Sequence, residues 1–106
     1  MPTTDARTFD TSPDTLWDAT VRALGALGWG VDWVDQGGWT IEATTPVTMR
    51  SWGERILVQI LSRGPTRTEL RVTVTLRFQL VGWGVQRRRI EALLDAVDSA
   101  LGSTAR

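Results

Sequence analysis

The chain has 106 residues and a mass of 11.8 kDa, which suits a single domain over residues 1–106. Its 42% hydrophobic and 23% charged residues are those of a folded globular chain, not a disordered one. Twelve arginines balance twelve acids, and Lys, His, Cys and Tyr are all absent, which removes disulfides, thiol and imidazole catalysis, Cys/His metal centres, an axial haem histidine, Schiff bases and phenolic acids.

The first five residues read as a loose start. No apolar stretch in Met1–Thr8 suggests a secretory signal. Ala6–Asp10 is expected to form a short strand. Thr11-Ser12-Pro13-Asp14 is a strong helix start, with Ser12 as N-cap, Pro13 in the first turn and Asp14 at the positive helix end. Leu16, Ala19, Thr20, Ala23, Leu24 and Leu27 recur at helical spacing, and Gly28 suits a C-cap, so the first helix spans 13–27. The period then becomes two. Trp29, Val31 and Trp33 alternate with Gly30, Asp32 and Val34. After the turn Asp35-Gln36-Gly37-Gly38, Trp39, Ile41 and Ala43 alternate with Thr40, Glu42 and Thr44. This predicts a hairpin, each strand with one apolar face. Pro46 marks a bulge or an edge, Val47 and Met49 continue the strand, and Ser51-Trp52-Gly53-Glu54 turns.

A fourth strand presents Ile56, Val58 and Ile60 on one face and Leu57, Gln59 and Leu61 on the other. Arg63-Gly64-Pro65-Thr66 turns the chain into the cleanest strand, where Leu70, Val72, Val74, Leu76 and Phe78 alternate with Glu69, Arg71, Thr73, Thr75 and Arg77. Gly82-Trp83-Gly84 breaks it. From Val85, Ile90, Leu94, Val97 and Leu101 give helical spacing that ends at Gly102. The expected fold is α+β in the order β-α-β-β-β-β-α, an antiparallel meander sheet with both helices packed on one face. The longest apolar run is far short of the roughly 18 residues that a membrane span needs, and the chain reads as cytoplasmic.

Several segments resemble known families. Ser12-Pro13-Asp14-Thr15-Leu16-Trp17, Ile41-Glu42-Ala43, the Arg71–Phe78 strand and the Trp83-Gly84-Val85-Gln86-Arg87-Arg88-Arg89-Ile90 run resemble small bacterial α+β domains of unknown function. Those often close with an Asp-Trp-Gly-x-Asn-x-x-x-Ile segment, and Gly82 and Gln86 depart from it here. The strand followed by a Ser-Pro-x-x-x-Trp helix, with a long closing helix, is similar to helix-grip lipid-binding and polyketide-cyclase-like domains. That resemblance implies strands arching around a cavity, although such domains are usually longer and a chain of this size has few strands to enclose a large ligand.

Five groups of residues carry functional readings. Trp29, Trp33 and Trp39 fall on the core-facing side of the hairpin, as core filling or as an aromatic wall for a flat ligand. Trp52, at a predicted hairpin tip, reads as a partner contact or folds back over the sheet. Val34, Leu57 and Leu61 interrupt the polar face of the sheet, a patch suited to self-association or to a protein partner unless they are scattered surface aliphatics. Arg87, Arg88 and Arg89 sit in the first turns of the last helix, with Asp95 and Asp98 toward its end, both against the helix dipole. Arg87 points to the core rim and Arg88 and Arg89 well away. They serve either as structural partners to acids such as Asp32 or Glu42, the favoured reading, or as an anion site. Asp32 and Glu42, adjacent on the wet face, are the only practical acid–base pair, and a poor one there. The zero net charge disfavours nucleic acid and a polybasic membrane role. The leading expectation is a non-enzymatic domain, with no cofactor and no metal, that binds a protein partner or itself through the sheet face. The alternative is a module for a small apolar ligand or an anion between the last helix and the Trp-lined sheet.

Overall fold

The computed structural model describes residues 3–46, 53–76 and 85–104. The first helix, α1 (Pro13–Leu27), has the boundaries its capping residues dictate. Ser12 is extended (φ −72°, ψ 158°) and its Oγ accepts the Thr15 amide at 3.3 Å. Gly28 takes the left-handed conformation (φ 73°) that lets its N–H reach the Gly25 and Leu24 carbonyls, a position that penalises any residue with a Cβ.

Five strands form one antiparallel sheet: β1 (Thr3–Phe9), β2 (Gly30–Asp35), β3 (Thr40–Thr44), β4 (Glu54–Gly64) and β5 (Arg67–Leu76), in the spatial order β1-β5-β4-β3-β2. The last helix is α2 (Val85–Thr104). The two helices pack on each other and on the same face of the sheet. That face is the apolar phase of the strands. Ile41, Ala43, Ile56, Val58, Ile60, Leu70, Val72 and Val74 meet Leu16, Ala19, Ala23 and Leu24 of α1 and Ile90, Leu93, Leu94 and Val97 of α2 in one buried cluster.

The element order and both helix starts agree with the sequence reading. Three details differ. First, β1 begins at Thr3, not Ala6, because Thr3 to Phe9 pair with Val74 to Thr68 at the sheet edge, where an edge strand tolerates polar residues. Second, α2 continues through Gly102 to Thr104. Third, the register between β2 and β3 shifts between Val31 and Trp33, leaving Asp32 as an extra residue in a bulge. A one-residue bulge moves all that follows it to the opposite face. Trp33 therefore lies across from Glu42 on the outer face, half exposed, and Val34 lies across from Ile41 on the helix side. The expected inward Trp33 and outward Val34 are both reversed. Trp29 is buried and Trp39 is half-buried, as expected of core filling. The readings placed on Val47, Met49, Trp52, Arg77, Phe78 and Gly82-Trp83-Gly84 fall outside the described residues.

Candidate ligand-binding site

Ion pairs lay α2 along the sheet in a fixed direction. Beside its first turns, Gln86 accepts a hydrogen bond from Thr3 Oγ1 at 3.0 Å and donates to the Val74 carbonyl at 3.3 Å. Arg87 reaches Asp5 on β1 at 3.5 Å. Two turns on, Asp95 meets Arg7 of β1 at 3.3 Å. The C-terminal turns of α2 thus arrive over Phe9, the last residue of β1.

At that end the helix and the sheet do not close on each other. Phe9, Asp10, Thr11, Thr15, Asp98, Leu101 and Gly102 surround a cavity of about 420 Å³. Phe9 is buried and Leu101 half-buried, and together they form the apolar wall. The rim is polar. Asp10 lies 3.8 Å from Arg67, with both side chains largely exposed, and Asp98 is exposed on α2. The loop that carries Asp10 and Thr11 is held by buried Thr68, whose Oγ1 donates to the Thr11 carbonyl at 2.7 Å. Thr15 Oγ1 accepts from Ser12 Oγ at 3.0 Å, so the helix cap also shapes the cavity wall. Gly102 leaves the opening wide: a Cβ added there meets nothing within 4 Å.

A second polar cluster lies at the opposite end of α2. Glu54 is fully buried on the helix face of β4, in phase with Ile56, Val58 and Ile60. Its carboxylate accepts from Thr45 Oγ1 and from Arg89 Nε, the latter at 3.4 Å, while its amide donates to Thr45 Oγ1 at 2.8 Å. Arg89 keeps 29% of its side chain exposed.

These contacts decide how the sequence-predicted residues are arranged. Arg87 and Arg89 both have structural partners, but these are Asp5 and Glu54, not Asp32 or Glu42. Arg89 does not point well away from the core. Its long stem runs along the helix flank to reach a buried acid. Arg87 and Arg89 lean to opposite flanks and Arg88 is exposed between them, so the triplet does not converge on one point. Asp32 accepts from Thr44 Oγ1, and the residue across from Glu42 is Trp33, so the two acids do not pair across the hairpin. Leu57 and Leu61 are half-buried on the outer face, Val34 is on the other side, and Trp52 is outside the described residues. Also on the outer face, Glu69 is hydrogen-bonded by Arg63 at 3.0 Å and Arg71 at 2.9 Å. The Arg63 bond, seconded by Arg71 and opposed by partial burial, holds its carboxyl below the usual value of 4.5.

Sequence reading missed Glu54, taken as a turn residue, although its two-residue phase with Ile56 was a usable signal. It also missed the cavity, whose walls come from segments about as far apart as the chain allows.

A single antiparallel sheet of this order, carrying one long C-terminal helix across its inner face, is the helix-grip or START-like fold. The chain superposes on the di-domain aromatase/cyclase StfQ of the steffimycin biosynthetic pathway with a TM-score of 0.64 at 11% identity, over 98% of this chain and 46% of that one. It thus spans less than half of StfQ. An HSP90 activator from Plasmodium falciparum gives a TM-score of 0.58 at 17% identity, covering 96% of each chain. A START superfamily protein from Mycobacterium smegmatis gives 0.54 at 13% identity, over 97% of this chain and 95% of that one. No family model matches the chain, and no curated protein matches its sequence. The shared fold is the one to which the Ser-Pro-x-x-x-Trp helix and the long closing helix point. Among the described residues no helix is long and apolar enough to cross a membrane.

Proposed function

We propose that this chain is a binding module for a small, largely apolar ligand, held in the cavity between β1, the start of α1 and the C-terminal end of α2. The supporting observation is an opening of about 420 Å³ walled by Phe9 and Leu101, within the roughly 300–1,000 Å³ range of small-molecule sites. The place differs from the middle of the sheet. There Ile90, Leu93 and Val97 are fully buried in the same cluster as Val58, Val72 and Val74, so side chains occupy that space. We read the module as a binder and not a catalyst. Among the described residues that line the cavity, the polar groups are two exposed carboxylates and two threonines, without a buried acid or base.

The test is titration with phenylnaphthylamine, a neutral apolar fluorophore that brightens when it leaves water. The wild type should bind it saturably, and Gly102→Trp, which places an indole in the opening, should abolish the signal at an unchanged melting temperature. Equal binding by both proteins would overturn the assignment.

A second reading draws on the outer face of the sheet. There Trp33, 50% exposed, shares one cross-strand row with Glu42, Leu57 and Thr73. An exposed indole in line with an aliphatic suits contact with a second copy of the chain. Sedimentation of wild type and Leu57→Glu decides it: a dimer that dissociates in the variant supports the contact, and a monomer in both removes it.

A further inference from the structure

We infer that the outer face of the sheet joins two copies of this chain about a twofold axis that runs along the strands, so that the β2–β3 half of one copy lies on the β4–β5 half of the other. This rests on the contact with a second copy proposed above and adds its geometry. The argument takes every charged side chain that the strand pairing places on that face among the described residues. The β2–β3 half carries Asp32, Asp35 and Glu42 and no arginine. Asp32 belongs there because its carboxylate accepts from Thr44, which is in phase with Glu42. The β4–β5 half carries Arg55, Arg63, Arg67 and Arg71 against one acid, Glu69. Strand β1 turns Thr4, Ala6 and Thr8 outward and no charge. Glu69 answers Arg63 and Arg71 together, and Arg67 is drawn to Asp10 at 3.8 Å. With both acids counted, the β4–β5 half still has an excess of positive charge, and the β2–β3 half is wholly negative.

A face that is negative on one side and positive on the other selects how it meets a copy of itself. A twofold axis across the strands would lay β2 on β2 and acids on acids. An axis along the strands reverses the order β1-β5-β4-β3-β2, laying β2 on β1, β3 on β5 and β4 on β4. Glu42 shares a cross-strand row with Thr73, so it arrives over Thr73 of the second copy, one outward position from Arg71. Asp35 shares a row with Arg71 and flanks it from the edge. Size agrees with charge. Trp33 projects from the β2 edge, and the opposite edge, β1, presents only the small side chains Thr4, Ala6 and Thr8 to receive it. Leu57 and Leu61 lie on the central strand and meet their own counterparts at the axis. Aligned sheets cross at about 30°, so these groups meet as neighbours and not as fixed pairs.

The experiment is sedimentation of the full chain with charge reversals, alone and mixed. The wild type should dimerise at concentrations up to about 0.5 mM. Glu42→Arg should weaken the dimer about tenfold or more, because the contact occurs twice about the axis and both occurrences turn from attraction to repulsion. Arg71→Glu should do the same. An equimolar mixture of the two variants should associate to within about threefold of wild type, because acid and arginine face each other again between unlike partners. Mixing does not mend a fold damaged by either change, so the rescue reads the contact between copies alone. Raising salt from about 20 mM to about 0.5 M should weaken the wild-type dimer severalfold. A dimer that Leu57→Glu dissociates but Glu42→Arg leaves intact, or two variants that stay monomeric when mixed, overturns this geometry and leaves the contact with a second copy standing. A wild type that is monomeric throughout the range overturns both.

Discussion

Trp39 shows how a single residue is held against its own preference. Its φ of 54° is in the left-handed region, where a residue with a Cβ is disfavoured by roughly 1–2 kcal/mol. The surroundings over-determine it. Its amide donates to the Gln36 carbonyl at 3.2 Å, its carbonyl accepts the Ile60 amide at 3.0 Å, and its ring meets Trp17 edge-on with centroids 5.8 Å apart. Removing the indole costs the packing either way, but glycine also relieves the backbone. We therefore expect Trp39→Gly to be more stable than Trp39→Ala by about 1 kcal/mol, the reverse of the usual order, as read in urea unfolding. Glu69 gives a second expectation at this scale. Its carboxyl titrates below 4.5 in the fold because Arg63 and Arg71 bond the charged form. A depressed carboxyl contributes stability that is present above the unfolded value and lost as pH falls through the folded one. Glu69→Gln should therefore melt below wild type above pH 4.5, and the difference should shrink as pH falls below 4.5 and the wild-type Glu69 carboxyl becomes protonated. The polar phase of β5 made Glu69 legible as an outer-face residue. Arg71 shares that phase, but Arg63 was not legible as a partner, because it comes across the β4–β5 turn.

Among the elements, α2 is fixed by charge on both flanks. Arg87 and Asp95 engage β1 on one side, and Arg89 reaches the buried Glu54 of β4 on the other. Breaking a buried pair by removing one partner leaves a stranded charge. Because Arg89 is partly exposed, Arg89→Ala should cost about 2–3 kcal/mol, below the ~3–5 kcal/mol of a fully dry pair. The double change Arg89→Met with Glu54→Leu should recover most of that loss, since apolar replacement of both partners is often neutral. A double variant no more stable than Arg89→Ala would show that the pair's geometry, not its stranded charge, matters. The same elements show what was readable in advance. Helix α1 was legible end to end because its stops are local: the Ser12 cap, Pro13 and Gly28 act within one turn. The strands were legible as alternation. The bulge at Asp32 was not, because Trp33 and Val34 are both apolar, so either phase reads as a strand. What selects the phase is pairing with β3, including the Thr44 hydrogen bond to Asp32, a contact between strands that spacing along one strand does not encode.

Across the whole molecule, α2 divides into a stretch that makes the fold and a stretch that makes the site. Its middle is sealed: Leu93 and Val97 are fully buried against the sheet. Its end stands over the cavity, where Leu101 is only half-buried and Gly102 faces open space. The helix period was readable through both stretches, but the difference between them depends on where β1 stops and α1 begins, residues about ninety positions away. The division has a measurable consequence. Leu93→Ala creates a void in a filled region and should cost about 3–4 kcal/mol. Leu101→Ala removes a side chain that already borders open space, so the loss should be about 1 kcal/mol, well under the transfer value of a fully buried leucine. Binding should run the other way. Leu101→Ala removes part of the apolar wall and should weaken phenylnaphthylamine severalfold, whereas Leu93→Ala, measured well below its lowered melting temperature, should leave the affinity unchanged. If both changes lowered affinity in proportion to stability, the ligand would be bound by the fold as a whole, and the end of α2 would not be the site.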